Sequence, residues 1–126
     1  MSRRTDDSSE LIAFRGDRRI LYRLVPSSVT TEDDWRSNYE RGDPPRKAEI
    51  ASALNHFALS MWDQQHVGVL YDLSQRWPQL GRFVAEVEMN GELGIWYAET
   101  GPEGHFSVWG RPSDLQRSVN LPTYAV

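Results

Sequence analysis

Cysteine is absent from the 126-residue chain, which excludes disulfides, cysteine-based zinc sites and cysteine nucleophiles. Long apolar segments are absent as well, since no run approaches the roughly 20 residues of a membrane-spanning helix. The first residues, from Ser2 to Asp7, are mostly charged and lack the apolar core of a signal peptide. These absences predict a soluble, cytoplasmic protein without membrane contact.

Positive charge is scarce in the second part of the chain. Residues 1–50 carry 10 basic and 10 acidic side chains, whereas residues 51–126 carry 4 and 8, so the whole net charge of -4 lies after residue 50. A negatively charged protein is repelled by phosphate backbones and anionic membranes. We therefore do not expect non-specific binding to either to be its main activity.

Metal-binding and common catalytic motifs are also missing. His56, His66 and His105 are separated by 10 and 39 residues, without a His-x-x-x-His pair, so no metal site is expected. The chain contains no Gly-x-Ser-x-Gly elbow and no glycine-rich phosphate loop of the Walker or dinucleotide type. These absences argue against the enzyme classes that depend on such motifs.

What is present predicts one α+β domain over residues 10–126, preceded by a flexible tail at residues 1–9. We expect a twisted, largely antiparallel sheet with two or three helices. Asn90-Gly91 predicts a two-residue hairpin between neighbouring strands. Arg15 to Arg18 predicts either another hairpin or a short edge strand followed by a central strand. The β-rich runs are residues 10–14, 19–25, 56–62, 80–89, 92–98, 105–109 and 119–126. The last run contains Pro122 and is expected to be an edge strand.

Two helices have clear start and stop signals. Thr31 is a candidate N-cap for a helix that continues through Tyr39 and ends at Gly42. The second helix follows Asp63 and ends before Pro78. Its predicted apolar face, at three- and four-residue spacing, consists of Val67, Leu70, Tyr71, Ser74 and Trp77.

Charged residues occupy unusual positions on two predicted strands. Arg23 lies in a strand otherwise suited to burial, where a guanidinium needs a carboxylate, a carbonyl or an anionic ligand. Glu86 and Glu88 share one face of the clearest strand. Either this face is solvated and Arg82 pairs with Glu86, or the two carboxylates and Arg23 line one cleft. In a cleft, like charges would raise the pKa of one carboxyl.

Aromatic side chains and one glycine-flanked segment are further candidates for a binding site. Gly104 to Gly110 is the most site-like segment, because glycines permit close backbone approach and His105 lies between them. For His105 a structural role and a ligand-binding role are both open. The aromatic residues near turns or strand ends suit either the core or stacking on a base or nicotinamide ring: Tyr22, Trp62, Tyr71, Trp96 and Trp109.

The run from Leu21 to Pro26 resembles the first-strand motif of ADP-ribosyltransferase-like domains, in which an arginine follows an aromatic residue. In the arginine–serine–glutamate branch of that family, a second strand supplies a serine and a later strand supplies Glu-x-Glu. Ser60 and Glu86-Val87-Glu88 follow Arg23 in that order. The chain is also similar to small bacterial proteins with a late Gly-His-aromatic-x-x-Trp-Gly segment, as in residues 104–110.

The resemblance implies a toxin or effector that uses NAD as substrate. Such a protein transfers ADP-ribose to a protein or nucleic-acid target, or hydrolyses NAD. The family pattern makes Ser60, Glu86 and Glu88 the catalytic residues, with Ser60 at the nicotinamide ribose and Glu88 stabilising the oxocarbenium ion. The cofactor-binding candidates are Arg23, Tyr22, Trp62, Tyr71, His105 and Trp109.

Two other functions fit the composition. A non-catalytic acidic binding module, such as an immunity, antitoxin or phage-type inhibitor protein, would dock on a basic partner surface through charge steering and aromatic anchors. A subunit that self-associates through an exposed strand at residues 119–126 is the third hypothesis.

Overall fold

A computed structural model describes residues 13–37 and 58–126. Within these residues, six antiparallel strands form one sheet in the order β4-β5-β2-β1-β3-β6. The predicted single α+β domain is confirmed. The strands are β1 (Arg19–Val25), β2 (Leu59–Trp62), β3 (Phe83–Met89), β4 (Trp96–Glu99), β5 (His105–Trp109) and β6 (Val119–Ala125), and the helices are α1 (Gly68–Arg76) and α2 (Pro112–Arg117).

Both faces of the sheet carry apolar side chains, because β1 is central and alternate residues project to opposite sides. On one side, here called the core face, Leu21 of β1 packs with buried residues from other strands, from α2 and from the 3-10 turn that contains Trp35. On the other side, the helix face, Tyr22 and Leu24 pack with Val84 against Leu70 of α1.

The alternation predicted for β3 is confirmed. Ala85, Val87 and Met89 are buried on the core face, whereas Glu86 and Glu88 lie on the helix face. All residues of β1 pair with β3, from Arg19 opposite Met89 to Val25 opposite Phe83. This long ladder fixes which side chains of the two strands can meet.

The hairpin predicted at Asn90-Gly91 is wrong. The side chain of Asn90 instead accepts a hydrogen bond from the Glu92 backbone N–H and starts a 3-10 turn over Gly91–Leu93. Gly94 then adopts a left-handed conformation, and the chain continues to β4 at the far edge of the sheet. The dipeptide makes a turn, but the turn joins strands that are not neighbours.

Two other local predictions also differ from the structure. Arg15 forms an isolated bridge with Tyr97 of β4, so the described part of residues 10–14 does not form a hairpin with β1. The helix predicted from Thr31 is a single 3-10 turn over Glu32–Trp35, closed by reciprocal capping between Thr31 and Asp34. The predicted tail, residues 10–12, Tyr39, Gly42 and residues 56–57 lie outside the described residues.

Helix α1 begins and ends close to the predicted positions, but its buried face differs from the prediction. Leu70 and Ser74 are buried, whereas Tyr71 is 42% exposed and Trp77 is 45% exposed. The helix packs on the sheet through Val67, Leu70 and Leu73, which leaves Tyr71 turned away from that contact. The predicted apolar face therefore wrongly includes Tyr71 and Trp77 and leaves out Leu73.

The last strand occupies a sheet edge, as predicted for residues 119–126. It contains Pro122, a residue that edge strands tolerate because their outer N–H groups have no ladder partner. Within residues 13–37 and 58–126, no helix has the length and apolar character needed to cross a membrane.

Gly81 provides a test of the packing between the end of β1 and the start of β3. Its φ is +127°, and a Cβ there would lie 2.3 Å from the carbonyl oxygen of Val25. We expect Gly81→Ala to lower the free energy of unfolding by about 3 kcal/mol, measured by urea denaturation. In the matched control Gly94→Ala, φ is +77° but no atom lies within 4 Å, so a loss of about 1 kcal/mol is expected. Equal losses would contradict the proposed close approach.

Candidate functional site

Arg23 lies where β1 and β2 stop pairing. Within the described residues, the register between these strands consists of the pair Tyr22–Trp62. One step further along β1, Nη1 of Arg23 donates a hydrogen bond of 2.9 Å to the carbonyl oxygen of Ser60. The guanidinium thus bridges the two strands beyond their registered pair, and a carbonyl is among the partners that the sequence required for it.

The side chain of Ser60 contacts the imidazole of His105 on the neighbouring strand β5. Ser60 Oγ and His105 Nε2 are hydrogen-bonded, and His105 Nδ1 lies 2.8 Å from the carbonyl oxygen of Thr100. A carbonyl oxygen only accepts hydrogen bonds, so Nδ1 carries the proton in the neutral ring. Nε2 is then the acceptor, and the Ser60 hydroxyl donates to it.

Several predicted residues form one row across the helix face, which we call the cross-sheet row. The strand registers place His105 opposite Trp62, Trp62 opposite Tyr22, Tyr22 opposite Glu86 and Glu86 opposite Asn120. The rings of Trp62 and His105 meet edge to face, with centroids 5.0 Å apart. Four residues singled out in the sequence therefore line up over four strands.

At the other end of the cross-sheet row, Glu86 accepts two hydrogen bonds. The amide of Asn120 donates to Oε2 at 2.9 Å, and the hydroxyl of Tyr22 donates to Oε1 at 3.4 Å. Burial raises the pKa of Tyr22, and the nearby Glu86 carboxylate raises it further. The Tyr22 hydroxyl therefore keeps its proton at neutral pH and remains a donor.

The structure does not bring Arg23 together with Glu86 and Glu88, so the alternative in which all three line one cleft is wrong. Their strands are neighbours, but Arg23 pairs with Ala85, whereas Tyr22 pairs with Glu86 and Ile20 with Glu88. Adjacent residues of a strand project to opposite faces. Glu86 also lies two strands from Ser60 in the sheet order, which corresponds to roughly 10 Å.

Glu88 borders a separate polar cavity of about 220 Å³. Its carboxylate lies 3.9 Å from the guanidinium of Arg18. The cavity joins the end of β3 to the start of β6 and does not include Ser60 or His105. Its lining residues are Arg18, Glu88, Asn90, Leu93, Arg117, Ser118 and Asn120.

Trp109 and Tyr71 lie apart from the Ser60–His105 contact. Trp109 is at the end of β5, opposite Trp96, and its ring meets that of Phe14 edge to face at 4.9 Å. It is four residues from His105 along an extended strand, roughly 13 Å. Tyr71 is on the exposed side of α1. Neither is grouped with the other predicted cofactor-binding residues.

Thr100 and the cluster around His66 are functional candidates that the sequence does not predict. Thr100 orients His105 through its backbone carbonyl, which any residue provides, so no side-chain pattern indicates this role. His66 Nδ1 lies 2.7 Å from Asp63 Oδ1, and Arg19 lies 3.6 Å from the same carboxylate. The Asp63–His66 spacing of three residues, at a helix N-cap, is a signal that could have indicated the pair.

Comparison with protein-family models, with curated proteins and with solved structures found no match. Functional inference for this chain therefore depends on its own residues and on the geometry described above.

The environment of His105 predicts a pH dependence of stability. Burial lowers the pKa of His105 below its ordinary value of 6.5, and the hydrogen bond to the Thr100 backbone opposes this only partly. Above pH of about 6.5 the ring is neutral in both the folded and unfolded chain. As the pH falls below that value, the unfolded chain binds a proton that the folded chain does not, so stability decreases until the pH reaches the lower, folded pKa.

We therefore expect acidification from pH 8 to pH 5 to lower the melting temperature of the wild type more than that of His105→Gln. The difference between the two proteins isolates His105 from the other titrating groups. An NMR titration of the His105 ring, assigned by the signal missing in His105→Gln, measures the pKa directly. A value at or above 6.5 would contradict this prediction.

Proposed function

We propose that the protein binds NAD and cleaves the bond between nicotinamide and ribose, as an ADP-ribosyltransferase-like enzyme. The observation that carries this proposal is the contact of the Ser60 hydroxyl with the His105 imidazole on the helix face, while Arg23 binds the Ser60 backbone carbonyl from the core face. Arg23 and Ser60 are 37 positions apart in sequence, and Ser60 and His105 are 45 apart. The two contacts share Ser60, which lies where the ladder between β1 and β2 ends.

Arg23 is the residue that we assign to the diphosphate or ribose of NAD. A guanidinium is always charged and presents its donors in a planar fork that matches two phosphate oxygens. The bond to the Ser60 carbonyl holds this fork at the junction of the strands. A fixed cation loses less side-chain entropy on binding an anion than a mobile one does.

Ser60 and His105 are assigned to the nicotinamide ribose. Both can exchange hydrogen bonds with ribose hydroxyls, and the adjacent ring of Trp62 offers an apolar surface for nicotinamide. In this proposal Glu86 and Glu88 have no role at the oxocarbenium ion. Glu86 is held by Asn120 and Tyr22 at the far end of the cross-sheet row, and Glu88 borders another cavity.

A second candidate function, the acidic binding module, is favoured by exposed aromatic side chains. Phe14 is 50% exposed and Trp96 is 44% exposed. Both lie next to Trp109, near the sheet edge formed by β4. Aromatic residues at a surface are typical anchors of protein interfaces. This function differs from the first in requiring no NAD at the β1–β2 junction.

An NAD titration tests the proposed function. We expect calorimetry to detect binding, and backbone NMR shifts to concentrate in residues 22–24, 59–62 and 104–106. Arg23→Gln should weaken affinity roughly 10-fold, because it removes the charged fork at the diphosphate. Arg23→Lys keeps the charge but loses the fork, so its affinity for NAD should lie between those of the wild type and Arg23→Gln.

The matched control is Arg76→Gln, which removes an exposed arginine on α1 that stacks near Trp77. It should bind NAD as the wild type does. Equal affinities for wild type and Arg23→Gln, or no binding of NAD by the folded wild type, would contradict the proposed function.

A further inference from the structure

The contact between Ser60 and His105 has the geometry of an activated nucleophile. A serine hydroxyl is a weak nucleophile unless a base takes its proton, and the base must itself be oriented by a third group. His105 Nε2 accepts from Ser60 Oγ, and the Thr100 carbonyl fixes the proton on Nδ1. All three elements are supplied by the backbone or side chains of β2, β5 and the segment before β5.

Access and rigidity support the same interpretation. Ser60 is exposed on β2, so a bound substrate can reach its oxygen. His105 is half-buried, and the edge-to-face contact with Trp62 restricts its ring. The lowered pKa of His105 keeps the ring neutral, and therefore able to accept a proton, at neutral pH.

We propose that Ser60 is itself an acceptor of the ADP-ribosyl group, with His105 as its base; this inference rests on the NAD-binding function proposed above. Ser60 Oγ attacks C1′ of the nicotinamide ribose and forms a new C1′–O bond. The C1′–N bond breaks, and its electron pair leaves with nicotinamide, which becomes neutral. The proton of the Ser60 hydroxyl passes to His105 Nε2 and then to solvent.

The neighbouring hydroxyls are poorer acceptors. Ser107 Oγ is hydrogen-bonded to Thr100 Oγ1 at 2.8 Å and its residue is only 4% exposed. Ser27, in the loop after β1, is exposed but donates to the carbonyl of Val29 instead of to a base. Among these serines, Ser60 is the one that combines exposure with a hydrogen bond to an imidazole.

Intact-mass spectrometry of the full chain after incubation with NAD tests the inference. We expect a mass increase equal to one ADP-ribosyl group, mapped by peptide sequencing to the segment that contains Ser60. Ser60→Ala should abolish the adduct. His105→Gln should slow its formation about 100-fold, as expected for loss of a general base. The control Ser27→Ala should be modified at the wild-type rate.

The outcomes separate this inference from the proposed function. Binding of NAD without an adduct, or an adduct on another residue, contradicts the role of Ser60 and leaves NAD binding intact. Absence of NAD binding contradicts the proposed function and the acceptor role together. A fluorophosphonate probe, used without NAD, reports activation of Ser60 separately: labelling of Ser60 in the wild type but not in His105→Gln is expected, and an unlabelled wild type contradicts the role of His105 as base.

Discussion

The pairing of β1 with its two neighbours determines to which face of the sheet Tyr22 and Arg23 project. Tyr22 is opposite Glu86 on one side and opposite Trp62 on the other. This register sends Tyr22 to the helix face and Arg23 to the core face. A shift of one residue would exchange the two side chains and place the guanidinium beside the carboxylates. The apolar residues that alternate with them, above all Leu21 and Leu24, hold the register because each is buried in a different core.

The junction of β1 and β2 is the second consequence of that register. Beyond the Tyr22–Trp62 pair, the Arg23 side chain connects β1 to β2 by donating a hydrogen bond to the Ser60 carbonyl. The hydroxyl of the same Ser60 faces His105 on β5. One serine thus contacts an arginine through its backbone and an imidazole through its side chain. The hydroxyl and the neutral base lie on the helix face, whereas the guanidinium reaches the same residue from the core face.

Elements marked by local periodicity could be predicted from the sequence, while pairings could not. The alternation in β3, the limits of β1 and α1 and the edge position of β6 follow from spacing and from Pro78 and Pro122. The hairpin predicted from Asn90-Gly91 is wrong because a turn is determined by local residues, whereas the strand with which the next strand pairs is determined by packing between distant residues. The grouping of Arg23 with Glu86 is wrong for the same reason, because predicting it would require knowing the register between β1 and β3. The orientation of His105 by the Thr100 backbone cannot be predicted from the sequence, because any residue at position 100 provides a backbone carbonyl.

NAD bound as proposed would lie at the contact between Ser60 and His105 and change the environment of the His105 ring. The most direct measurement is nitrogen-15 NMR of the His105 ring during an NAD titration at neutral pH. We expect a ring protonated on Nδ1 before NAD is added, and a saturable shift of the Nε2 resonance that is weakened in Arg23→Gln. Unchanged His105 resonances at NAD concentrations that saturate binding elsewhere on the protein would contradict this expectation.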